Sequence, residues 1–256
     1  MMIANAFRLI LLVPLLVIAV LSGAGCATVE PAAGTLEPPL HTAGNTLEPG
    51  TEYAMDVYDP MEGFNRRVYK FNYYFDKFLF LPAVNTYEFI TPDYVEDRIS
   101  NFVDNVFEFN NFSNNLLQGK IKRTGTTLAR FAINTTIGVF GFWDPATSFG
   151  LDRQAEDFGQ TLGHYGVGNG AYIVLPILGP SNLRDTTGLA TDAVAFTMLG
   201  PPEWVDDNGA TIVFTAVTAL VERRRQSFRY YGSGSPFEYE TIRMLYTAKR
   251  QIEIDR

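Results

Sequence analysis

The chain has 256 residues, 46% hydrophobic and 14% aromatic, with 20 Lys and Arg against 28 Asp and Glu. That length buries a core without covalent staples. A formal charge of −8 leaves no basic face for nucleic acid and no polybasic grip on anionic headgroups. With one Cys and two His, neither a disulfide framework nor a Cys- or His-rich metal centre can be built, and no cofactor is expected.

The N-terminal segment reads as an address. Leu9 to Leu21 is an apolar run, about 20 Å long as a helix, against a hydrocarbon core of about 30 Å. It fits a secretory signal better than a membrane span. Ser22-Gly23-Ala24-Gly25-Cys26 follows, and a lone Cys after small residues resembles a bacterial lipobox, in which Cys26 takes a diacylglycerol and becomes the mature N-terminus. Gly23 stands where such sites usually carry Leu, and the bland alternative is an ordinary signal peptide with an incidental Cys. Ala27 rather than Asp after the Cys favours the outer membrane, by resemblance to sorted lipoproteins. Removing residues 1–25 takes away Arg8 and no acid, so the mature chain carries −9.

Residues 26–55 form a Pro-, Gly- and Thr-rich spacer containing the near-repeat Gly34-Thr35-Leu36-Glu37-Pro38 and Asn45-Thr46-Leu47-Glu48-Pro49. Too little apolar surface is available there to offset ordering. From residue 56 to 256 the texture is helical. Asp59-Pro60-Met61-Glu62 predicts an N-cap and first turn, and Phe64, Val68, Phe71, Phe75 and Phe78 give one aromatic stripe. Further helices are predicted from Thr91-Pro92 to near Gly119, over Gly125–Ile137, Ser181–Leu199 and Asp207–Gln226, and from the cap signal Ser235-Pro236-Phe237-Glu238 to Ile252. No alternating β-branched run is long enough to propose a sheet. The fold class is therefore all-α, in one domain. Asn and Thr dominate the polar faces, and Phe107 and Phe112 lie off the main stripe, so these helices are buried in protein or face lipid.

Catalytic chemistry finds few candidates. His164 is the sole plausible base, no Gly-x-Ser-x-Gly occurs, and Glu156-Asp157 is adjacent rather than convergent, fitting a capping or solvated role. The chain reads as no enzyme. Gly163 to Gly170 lacks the dinucleotide spacing. Its alternating Gly166, Gly168 and Gly170 suit either a hinge for the apolar hairpin around Leu175-Pro176 or a rigid turn in the core. Arg223-Arg224-Arg225 fits a solvated helix end, with phosphate contact as the sharper alternative.

Together these motifs resemble the MlaA (VacJ) family of outer-membrane lipoproteins. The resemblance is carried by Asp59-Pro60-Met61-Glu62-Gly63-Phe64-Asn65-Arg66, Leu117-Gln118-Gly119, Arg130-Phe131-Ala132-Ile133-Asn134-Thr135, Gly141-Phe142-Trp143-Asp144, the run from Phe158 to Gly168, Leu175-Pro176 and Leu183-Arg184-Asp185. It implies a ring-shaped helical domain in the inner leaflet of the outer membrane, facing the periplasm, with a central amphipathic channel. It further implies removal of stray phospholipids from the outer leaflet, transfer to a periplasmic carrier linked to an inner-membrane ABC transporter, and a trimeric porin as partner. Gly166 and Gly168 then map onto a hairpin hinge or gate, and Phe71 and Asn72 onto a gating stretch of the first helix. The competing readings are a non-transporting lipoprotein that anchors a porin complex, and a His164-dependent periplasmic enzyme.

Overall fold

The computed structural model describes residues 57–199 and 208–256. Cys26, the 1–25 leader and the 26–55 spacer lie outside the described residues. Helix α1 (Glu62–Phe75) passes through a π-helical turn, Asp76–Phe80, into α2 (Leu81–Ile90). Pro82, which has no N–H to donate, is the second residue of α2. Thr91 is extended because Pro92 excludes the helical region from its predecessor. Pro92 opens α3 (Asp93–Leu117), whose first turn carries Asp93 and Glu96 at the positive end of the dipole. Gln118 to Lys120 turn the chain back into α4 (Ile121–Thr136), which lies antiparallel to α3, and Asp144 caps α5 (Pro145–Ser148).

Asp157 caps α6 (Phe158–His164), accepting the Gln160 N–H at 2.8 Å. Then come β1 (Tyr172–Leu175) and β2 (Gly179–Asn182), an antiparallel hairpin pairing Tyr172 with Asn182 and Leu175 with Gly179. Helices α7 (Leu183–Leu199), α8 (Asn208–Arg225) and α9 (Glu238–Asp255) complete the described residues. The all-α reading holds apart from this hairpin. Its strands have four residues each, and β2 is Gly-Pro-Ser-Asn, so no alternation could announce them. A small aromatic core gathers Val68, Tyr69, Tyr172, Val174 and Tyr239, seating β1 between α1 and α9. Helices α6 and α7 cross backbone to backbone, where a Cβ on Gly188 would stand 2.3 Å from the Gly159 nitrogen.

The Asp59 signal marks a helix start without capping it, while at the second signal Ser235 Oγ accepts the Phe237 N–H at 3.2 Å. The Asp59 carboxylate instead accepts Asn65 Nδ2 at 2.7 Å and the Tyr239 hydroxyl, and pairs with Arg243. Glu238 is buried under Tyr69 and the Ser233 turn.

Candidate functional site

Burial in this body is inverted. Among the described residues 25 polar or charged side chains are buried against nine hydrophobic ones, while 33 large hydrophobics are exposed. Exposed apolar residues alone mean little, whereas buried polar groups are informative. Helix α4 states the pattern most clearly. Thr124, Thr127, Arg130 and Asn134 form its buried face, and Ile121, Leu128 and Ile137 stand outside. Helix α3 buries Glu96, Ser100, Asn105, Glu108, Asn111, Asn114 and Asn115, with Val103 their only apolar companion. The aromatic stripe that runs from α1 into the π-helical turn also faces out at Phe64, Phe71 and Phe78. After α4, the loop Val139-Phe140 exposes two apolar side chains on backbone of φ 51° and 58°, a strained conformation for both. Phe107 stacks on Phe196 at 5.4 Å, joining α3 to α7.

The buried polar groups satisfy one another. Arg130 donates from Nε to Glu108 at 2.8 Å and from Nη2 to Asp144 at 3.1 Å, and Asn134 donates to Asp144 at 2.9 Å. Burial raises the Asp144 carboxyl, but hydrogen bonds from Thr147, Asn134 and Arg130 outweigh it and hold the pKa below the ordinary value. Glu156 takes Gln118, Lys120 and Arg123. Asp185 collects Arg184, Arg250, Tyr246 and Asn182, and these donors outweigh burial to depress its pKa as well. Asp192 shifts the other way, raised chiefly by burial although Phe158 N–H and Asn114 donate to it.

The arginine run is not a solvated helix end. Arg223 makes a bidentate pair with Asp76 in the π-helical turn, Arg224 reaches Glu96 at 2.6 Å, and Arg225 grips Asp104 at 2.8 Å. One turn of α8 thereby fastens three points along α1–α3.

Asn72 meets the hairpin. Its Nδ2 donates to the Leu175 carbonyl at 2.9 Å and its Oδ1 accepts the Ile177 N–H at 2.7 Å. Two turns earlier Asn65 does the same with the Tyr172 carbonyl and the Val174 N–H, at 3.0 and 2.9 Å. Helix α1 thus supplies side-chain amides to the backbone of β1 and of the hairpin turn. Phe71, beside Asn72, points away and is exposed. Gly166, at φ 85°, and Gly168 lie in the exposed loop before β1, and a Cβ at either would touch nothing within 4 Å. Ile177 and Leu178 project from the tip into solvent-accessible space.

His164 is exposed, its ring edge-on to Tyr165 at 5.3 Å. Glu156 and Asp157 point to different partners, the latter held by Arg250. Among the described residues no group of three or more His, Cys, Asp or Glu could hold a metal ion, and no helix is long and apolar enough to cross a membrane.

The sequence profile of the MlaA lipoprotein family matches residues 57–253. The chain belongs to the MlaA lipoprotein family. A Rickettsia felis protein is 44% identical over 169 residues, 66% of each chain. The intermembrane phospholipid transport system lipoprotein MlaA of Haemophilus influenzae is 36% identical over 147 residues, 56% of this chain and 58% of that one. Its Escherichia coli counterpart is 38% identical over 138 residues, 52% and 55%. The chain therefore spans between about half and two thirds of the relatives it matches. A solved structure described as "Structural basis for maintenance of bacterial outer membrane lipid asymmetry" superposes with a TM-score of 0.63 and 29% identity, covering 77% of this chain and 100% of the other.

Within this MlaA-family body the motif residues are distributed by role. Asn65, Arg130, Asn134, Asp144, Arg184 and Asp185 are internal ties. Asn65 and Asp76 did not stand out as sites, because their partners lie 107 and 147 residues away.

Proposed function

We propose that this protein is an outer-membrane lipoprotein that takes mislocalised phospholipids from the outer leaflet and passes them towards a periplasmic carrier, maintaining lipid asymmetry in a Gram-negative envelope. The inverted burial is the observation that carries this reading. A helical body with apolar residues outward and Asn, Thr, Arg and Glu inward suits a bilayer, where lipid solvates the outer surface and internal polar groups must satisfy each other. A polar-lined path lowers the cost of moving a charged headgroup past hydrocarbon, and no bond need be made or broken. Lipids on Cys26 hold the body to the inner leaflet, with residues 26–55 as the spacer. The ring shape, the channel, the trimeric porin and the carrier linked to an ABC transporter belong to this proposal, and the named relatives and the asymmetry structure support it.

The hairpin is the gate in this scheme. Gly166 and Gly168 provide its hinge, and Asn72 is the latch, because displacing the tip requires breaking its two bonds to Leu175 and Ile177. The test is outer-leaflet phospholipid in cells lacking the gene. Accumulation reversed by the intact gene, and not by Cys26→Ala, is expected. No accumulation, with porin assembly impaired instead, would favour the anchoring role.

A further inference from the structure

A cleft of about 300 Å³ opens between the Gly163–Asn169 loop, Arg184 at the start of α7, and Gln251 and Ile254 on α9. Arg184 is 5% exposed, and its one carboxylate, Asp185, also serves Arg250, Tyr246 and Asn182. Arg250 has Asp157 and Glu253 besides, whereas Asp185 is the one carboxylate paired with Arg184 among the described residues. Its Nη1 lies near the cleft walls, held by a long 3.4 Å bond to the Val167 carbonyl, and a Cβ on Gly163 would approach it to 3.0 Å. Its Nη2 sits 2.9 Å from Asp185 Oδ1 but has no hydrogen-bond acceptor. In the loop, Gly166 and Val167 donate their N–H groups to Gly163 and Leu162. Those of Gly168 and Asn169 donate to no acceptor among the described residues. No carboxylate is among the lining residues, and Gln251 on the rim donates its Nε2 to Asp255 at 2.9 Å.

A buried guanidinium with an unpaired nitrogen, beside two backbone N–H groups that donate to no acceptor among the described residues, offers the donors an oxyanion requires. We propose that this cleft binds a tetrahedral oxyanion of the phosphate class, either free phosphate or the phosphodiester of a lipid headgroup. The site stands independently of the transport reading, since it rests on donors and charge rather than on lipid movement.

The full-length lipoprotein in non-ionic detergent would be titrated calorimetrically with inorganic phosphate and, separately, with monomeric dihexanoylphosphatidylglycerol, chloride being the control anion. Heat from phosphate alone supports the site and assigns it to the free ion. Heat from the short-chain lipid, with or without phosphate, supports it and assigns it to headgroups. Gln251 is exposed at the cleft rim on a helix, so Gln251→Glu and Gln251→Lys leave the fold intact. They should weaken and tighten binding respectively, each by about tenfold. Arg184→Gln should abolish it, and the Gln251 pair decides the matter if that variant does not fold. Absence of binding by either probe, or affinities indifferent to the charge at position 251, would overturn the proposal.

Discussion

Asn72 holds Ile177 in place: its Oδ1 accepts the Ile177 N–H at 2.7 Å, on a β-branched residue whose φ is 70°. That conformation costs energy, and the Asn72 amide is what the tip gains in return. Asn72→Ala should destabilise the domain by about 1–3 kcal/mol, because it removes two part-buried hydrogen bonds. Hydrogen exchange should quicken at Ile177 and stay unchanged at Val174, which Asn65 holds. Equal exchange at Ile177 in both proteins would mean that the latch does not exist.

The two loop glycines differ in what a side chain would cost. Gly168→Val meets open space, whereas Gly166→Val forces a β-branched residue to φ 85° at about 1–2 kcal/mol. The double variant should remain folded by circular dichroism, melt slightly earlier, and lose lipid removal in cells. Full lipid removal by a folded double variant would sink the hinge.

The Glu108–Arg130 pair is almost wholly buried. Glu108→Ala strands the guanidinium, and about 3–5 kcal/mol should be lost in denaturant unfolding. Glu108→Gln, which keeps an acceptor, should lose less. A loss under about 1 kcal/mol for the alanine variant would show that Asp144 and the Leu151 carbonyl suffice for Arg130.

Acid should unfold the domain in a defined direction. Asp144 and Asp185 have folded pKa values below the ordinary carboxylate value of about 3.9. Their contribution is complete above that value and is lost as pH falls through it towards the folded pKa. Asp192, raised by burial, acts oppositely: protonation relieves it as pH falls through its raised value. Tm should therefore hold or rise slightly on leaving neutrality and fall steeply below about pH 4. Asp185→Asn should flatten the steep limb at the cost of a lower plateau.

Helix positions were legible in the sequence while the sign of their faces was not. The spacing of Val95, Ile99, Phe102, Val106 and Phe109 locates α3 to within a few residues. Periodicity fixes the phase of an amphipathic helix, but whether the apolar face points in or out depends on the surrounding solvent. Thr124, Thr127, Arg130 and Asn134 therefore read as a polar face and form a buried one. The Arg223–Arg225 run read as solvated because its acids are distant in sequence, from Asp76 to Asp104. Gly166, Gly168 and Asn72 stood out in motifs, yet only folding brings Asn72 to the hairpin.

The inverted body makes a direct claim about where its outer surface sits. Trp143 is 43% exposed beside the Val139-Phe140 loop. With Trp204→Phe as background, its fluorescence should be strongly quenched in vesicles carrying brominated acyl chains and little affected by aqueous iodide. Quenching by iodide without response to bromine would place that surface in water and contradict the account.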